Sequence, residues 1–134
     1  MNAVDTTQTV QDLYVAFGRA DVPAILALLA EDAELYHSGP ADVLPWSMLY
    51  RGKAEWGRFF QDVGQAIEFT EFAPERFIAQ GDTVVALGHF AGRARATGRP
   101  VASHWAMEWT FQDGDITHCR VHEDTAALAA AVSQ

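Results

Sequence analysis

The sequence predicts an α+β fold in which helices pack on a curved antiparallel sheet and close over a mainly apolar pocket. Three observations carry this reading. Apolar residues recur at helical spacing as far as Gln65. From Ile67 onward the period is two, as in half-buried strands. Alternate residues of the C-terminal strands then separate into one nearly apolar face and one charged face. A chain of 134 residues suits one domain over 1–134 and leaves no room for a second core.

The first helix is expected from Thr6 to Phe17, with Val10, Leu13, Tyr14 and Phe17 on one face. Asp5 is its expected N-cap, with Gln8 three residues on in a capping box, and Gly18 stops it. Asp21 caps a second helix with Pro23 in its first turn, where a missing N–H costs nothing. Ile25, Leu28 and Leu29 form its stripe, widened by Val22 and Leu26. Ala33 to His37 reads as a short strand. Ser38 to Gly52 reads as a long loop, and Trp46, Met48, Leu49 and Tyr50 mark it as a flap over something apolar. Lys53 to Gln65 is a helix with Trp56, Phe59, Phe60 and Val63 on one face.

A strand beginning at Ile67 and Phe69 breaks at Pro74 and resumes from Arg76 to Ala79. Gly81-Asp82 turns into a long strand, Thr83 to Ala96, and Thr97-Gly98 turns into Val101 to Phe111. Gln112-Asp113-Gly114 suits a three-residue hairpin loop. The last strand is Asp115 to Glu123, and Asp124-Thr125 caps an alanine-rich helix.

That hairpin sets Phe111 opposite Asp115, Trp109 opposite Thr117, Met107 opposite Cys119, Trp105 opposite Val121 and Ser103 opposite Glu123. With Phe90, Gly92 and Ala94, these make the inner face. His89, Arg93, Arg95, His104, Glu108, His118, Arg120 and His122 make the outer one, with His104 opposite His122 and Glu108 opposite His118.

Composition excludes some partners. The formal net charge is -9, from 18 acidic and 9 basic residues, a field that repels nucleic acid and anionic membranes. The single cysteine, Cys119, has no internal disulfide partner, which suits a reducing compartment. The segment Met1 to Thr7 has neither a basic nor an apolar leader region. The longest apolar stretch, Val22 to Ala30, is too short to span a bilayer. A cytoplasmic protein without a membrane partner is the expectation.

The order helix, helix, strand, long loop, helix, long strands resembles the nuclear-transport-factor-2-like superfamily, and within it the SnoaL-like domains. Local matches are Leu28-Leu29-Ala30-Glu31-Asp32-Ala33-Glu34-Leu35, Tyr50-Arg51-Gly52-Lys53, Ala96-Thr97-Gly98-Arg99, and Trp109-Thr110-Phe111-Gln112-Asp113-Gly114-Asp115-Ile116 leading to Asp124-Thr125-Ala126-Ala127-Leu128. The resemblance implies a cone-shaped fold with a pocket. It does not choose among the superfamily's isomerases, cyclases, hydratases, epoxide hydrolases and non-catalytic members. Ketosteroid isomerase is a distant comparison. Its oxyanion tyrosine is similar in placement to Tyr14, within Tyr14-Val15-Ala16. Its catalytic aspartate falls at His37 and its protonated aspartate at Met107. That departure argues against steroid isomerisation.

Each candidate has a plainer reading beside it. Tyr14 is an oxyanion donor or a core tyrosine with its hydroxyl at the rim. His37 is a general base or a histidine holding the loop. Glu123, the one carboxylate on the apolar face, is a buried acid or a group reaching solvent at the pocket mouth. Trp46, Tyr50, Trp56, Phe60, Phe90, Trp105, Met107, Cys119, Val121 and Glu123 are expected to line the pocket, with Trp46 the foremost ligand contact. Cys119 is read as a small core residue rather than a nucleophile. The outer-face histidines match no zinc spacing, so neither a metal nor another cofactor is expected. That face is instead expected to pair two copies as a homodimer.

Two functions follow. One is a cofactor-independent isomerase, lyase or hydrolase acting by proton transfer on a small, apolar, oxygen-bearing molecule, with His37 as base and Tyr14 polarising the oxygen. The alternative is a non-catalytic ligand-binding or dimerisation module.

Overall fold

The computed structural model describes residues 2–133. The elements are α1 (Ala3–Gly18), α2 (Val22–Leu26), β1 (Leu29–His37), β2 (Leu49–Arg51), α3 (Lys53–Ala66), β3 (Ile67–Gln80), β4 (Thr83–Ala94), β5 (Pro100–Gln112), β6 (Asp115–Glu123) and α4 (Thr125–Val132). The strands form one sheet in the order β2-β1-β6-β5-β4-β3. The helices cover its inner face, which makes the α+β cone the sequence predicts. None of the described helices is long and apolar enough to cross a membrane.

The sheet is not wholly antiparallel, because β1 and β6 pair in parallel with His37 beside Val121. Parallel pairing brings the C-terminal ends of two strands together. His37 and Glu123, the last residues of β1 and β6, thereby become neighbours.

Several element ends differ from expectation for local reasons. Helix α1 starts earlier, because the Asn2 side chain rather than Asp5 caps it, accepting from the Asp5 N–H at 3.0 Å. Helix α2 stops at Leu26, and Leu29 opens β1, so Leu28 and Leu29 do not extend the helical stripe. The loop after His37 contains β2, which pairs with β1 through Leu35 and Tyr50. Strand β3 runs through Pro74 with register shifts at Phe69/Glu71 and Pro74/Arg76. Proline is tolerated because β3 is an edge strand. Strand β4 ends at Ala94 rather than Ala96.

The β5–β6 hairpin is tighter than expected. Asp113 (φ 51°) and Gly114 (φ 85°) form a two-residue turn, with Gln112 opposite Asp115. A bulge follows between the Phe111–Ile116 and Thr110–His118 pairs. Trp109 therefore faces Cys119, Met107 faces Val121 and Trp105 faces Glu123. These partners lie two residues from the expected ones. A shift of two preserves parity, so the inner and outer faces of β5 and β6 stand. Arg95, expected on the outer face, instead lines the inner cavity, because β4 ends at Ala94 and strand alternation no longer holds there. On the outer face His104 pairs with His89, not His122, and Glu108 with Arg120, not His118. The bulge also turns Ile116 into the core, where it is fully buried.

Small residues on β4 serve close approach rather than leaving open space. A Cβ at Gly88 would collide with the Ala73 carbonyl oxygen and the Trp105 ring. One at Gly92 would collide with the Glu68 carbonyl.

Candidate active site

Met107, Val121 and His37 stand side by side on β5, β6 and β1. Above this row lies a cavity of about 530 Å³, walled by α1, α3 and the inner sheet face. Tyr14, His37, Trp46, Phe60, Phe90, Met107, Cys119, Val121 and Glu123 all line it.

Three expected wall residues do not. Trp56, on α3, is fully buried against β1, its indole N–H donating to the Ala33 carbonyl at 3.0 Å. Tyr50 is fully buried too, and its hydroxyl donates to the Trp46 carbonyl at 2.9 Å. Trp105 lies behind the wall, stacked on Tyr14 at 5.3 Å and Phe72 at 5.1 Å between centroids. All three sit on apolar faces. Periodicity finds a core position, but it does not distinguish the layer touching the cavity from the layer behind it.

Both ring nitrogens of His37 are engaged. Nδ1 is 2.9 Å from Ser47 Oγ, and Nε2 meets Glu123 Oε1. The His37 side chain is 1% exposed and that of Glu123 11%, so Glu123 does not extend into solvent as a mouth residue would. In the neutral tautomer that fits this network, Nε2–H donates to the carboxylate and Nδ1 accepts the Ser47 hydroxyl. When the ring is an imidazolium, Ser47 accepts instead and its own hydrogen turns to the Ser38 carbonyl at 3.5 Å. Ser47 thus accommodates either charge state without leaving a buried donor unpaired. Glu123 Oε2 makes no hydrogen bond among the described residues, so it is the carboxylate oxygen left without a protein partner.

Sequence reasoning assigned no role to Ser47. Its signal was only that it follows Trp46 in a loop returning to β1. The loop is fixed there by the His37 N–H donating to the Met48 carbonyl at 3.1 Å.

The second polar element is Tyr14. Its hydroxyl accepts from Trp109 Nε1 at 3.1 Å and donates to Met107 Sδ at 3.1 Å. Burial pushes the phenol well above its ordinary value, with the neighbouring Cys119 adding to this and the Trp109 hydrogen bond opposing it. Tyr14 therefore stays a neutral O–H donor at physiological pH. A thioether is a weak acceptor, so a ligand oxygen competes readily for that hydrogen. Burial likewise holds the Cys119 thiol well above its ordinary value, which keeps it protonated and poorly nucleophilic.

The family model of the SnoaL-like domain matches residues 10–119. No protein of curated function matches the chain. Among solved structures, an NTF2-like protein from Burkholderia xenovorans LB400 is 32% identical, covers 99% of both chains and superposes with a TM-score of 0.89. An NTF2-like protein from Burkholderia pseudomallei K96243 is 30% identical over 100% of both chains, with a TM-score of 0.90. A protein with a ketosteroid isomerase-like fold from Catenulispora acidiphila DSM 44928, in complex with trimethylamine, shares the fold at 15% identity, covering 92% and 91% of the two chains with a TM-score of 0.76. With most of its length matched by that family model and its whole length shared with these structures, the chain belongs to the SnoaL-like domains of the NTF2-like superfamily.

Proposed function

We propose that the cavity is the site of a cofactor-independent enzyme that moves a proton on a small, mostly apolar carbonyl compound. The observation that supports this best is the buried Ser47–His37–Glu123 chain, which leaves one carboxylate oxygen free in an apolar cavity shared with a neutral tyrosine donor. In this reading Glu123 Oε2 takes a proton from carbon beside the carbonyl. Tyr14 donates to the oxygen as negative charge develops there, and Trp109 N–H, donating to the phenol oxygen, makes that donor stronger. His37 and Ser47 hold the carboxylate and its tautomeric partner in place. Returning the proton to another carbon isomerises the substrate, and expelling a leaving group makes the same step an elimination. His37 thus becomes a positioning residue, because its ring nitrogens are already committed.

Deuterium wash-in tests the reading. A panel of aryl and cyclic ketones is incubated in D2O and followed by NMR. The wild-type protein is expected to exchange α-hydrogens of at least one ketone well above the buffer rate. Tyr14→Phe is expected to lower that rate by about 10²–10³-fold, as loss of an oxyanion donor does. Exchange no faster than buffer across the panel would favour the non-catalytic binding module.

We also propose that the outer sheet face pairs two copies of the chain. It carries a shallow groove with Glu34, His118, Arg120 and His122, bordered by Tyr36 at 44% and Leu49 at 48% exposure. A stable contact of this kind buries about 1,200 Å² or more in total. Light scattering at micromolar concentration should give the dimer mass, and a monomer mass would refute it.

A further inference from the structure

The cavity has unlike ends. Glu123 and His37 lie at one. At the other is Arg95, the one lysine or arginine among the described lining residues. Two rulers bracket the span. Phe59 packs on the His37 ring at 6.0 Å, and five residues along α3 the Gly64 carbonyl accepts from Arg95 Nε at 2.9 Å. Five helical residues rise about 7.5 Å. On the sheet, Gly88 is level with Trp105 and Glu123. Arg95 lies seven residues beyond it, about 23 Å of strand contour. Between the two ends the wall is aromatic and aliphatic, with Phe60, Phe69, Phe72 and Phe90 among its residues.

Arg95 is held in place rather than loose. Nε is fixed by Gly64, and Nη1 is 3.6 Å from Glu68 Oε2. Nη2 makes no hydrogen bond among the described residues. The acids around it are shared. Glu68 also meets Arg93 at 3.5 Å, and Glu71, which lines the cavity, meets His89 at 2.9 Å. The Arg95 side chain is 50% exposed, so this end offers an oriented cation open to solvent, while Glu123, at 11% exposure, makes the other end hostile to an anion.

We propose that the ligand is an apolar molecule carrying a carboxylate. The carboxylate sits at the mouth on Arg95 Nη2, and the reacting carbonyl lies inward at Glu123 and Tyr14. This deepens the proton-transfer reading and rests on it for the inward orientation. Charge sets the direction of entry, because the same molecule reversed would place its carboxylate against Glu123, whereas the other lining carboxylate, Glu71, is paired with His89.

The test uses 4-biphenylacetic acid and its neutral amide, read by quenching of tryptophan fluorescence. The acid should bind the wild-type protein about tenfold more tightly than the amide. Arg95→Gln should weaken the acid about tenfold and leave the amide unchanged, as loss of a charge-assisted hydrogen bond does. An acid-to-amide ratio that Arg95→Gln does not alter would overturn the anion site, even where Glu123-dependent exchange is normal. Failure of both compounds to bind would overturn it too. Arg95-dependent acid binding in a protein without ketone exchange would support the anion site and refute the proton-transfer reading instead.

Discussion

Replacing Glu123 by glutamine is expected to lower ketone exchange by about 10²–10⁴-fold, the range typical of losing a general base. The substitution is close to isosteric. The amide oxygen still accepts from His37 Nε2–H, so the Ser47–His37 contact and the cavity wall persist. What disappears is the basicity of Oε2. Binding of a neutral carbonyl compound should therefore change little, and the loss should appear in the rate. His37→Ala is expected to cost about a hundredfold, because it removes the group that orients the carboxylate. The two variants separate two assignments of the base. A wild-type rate in Glu123→Gln beside an inactive His37→Ala would return the role of base to the histidine.

The largest stability loss is expected at Trp56. The side chain is fully buried and sends its indole N–H to the Ala33 carbonyl, tying α3 to β1. Trp56→Ala leaves a cavity and costs about 3–5 kcal/mol. For a chain of this size that is a fall of roughly 10–20 °C in Tm, measurable by circular dichroism. Trp56→Phe should cost much less, because the ring volume is partly kept and the Ala33 carbonyl still accepts from the Gly52 N–H at 2.8 Å. Neither variant should change ligand affinity per folded molecule, since Trp56 does not line the cavity. A Tm for Trp56→Ala within a few degrees of wild type would contradict this account.

These two positions also show how far the sequence could be read. Trp56 was legible as an inward residue because a 3.6-residue period with Phe59, Phe60 and Val63 leaves it nowhere else to go. Its assignment to the cavity wall failed, because burial and ligand contact are different layers of one face. Glu123 was legible as a carboxylate on the apolar face through strict alternation along β6. Its partner was not, because the β1–β6 pairing is a parallel contact between segments far apart in the chain. Local patterns say nothing about such a contact. The hairpin register erred by two residues, since a turn and a bulge add lengths that propensity does not resolve. Parity absorbed the error, so every candidate on those strands kept its face.

The parallel β1–β6 pair has a kinetic side. His37 and Glu123 are 86 residues apart in the chain. The β3–β4–β5–β6 meander closes through short turns and needs no such span. Loop-closure entropy therefore sets the docking of β1 onto β6 apart as the costly step of assembly. A chain that has formed its meander but not yet received β1 holds Glu123 without the imidazole. The group proposed to do the chemistry is completed only when the N-terminal part of the chain reaches the sheet.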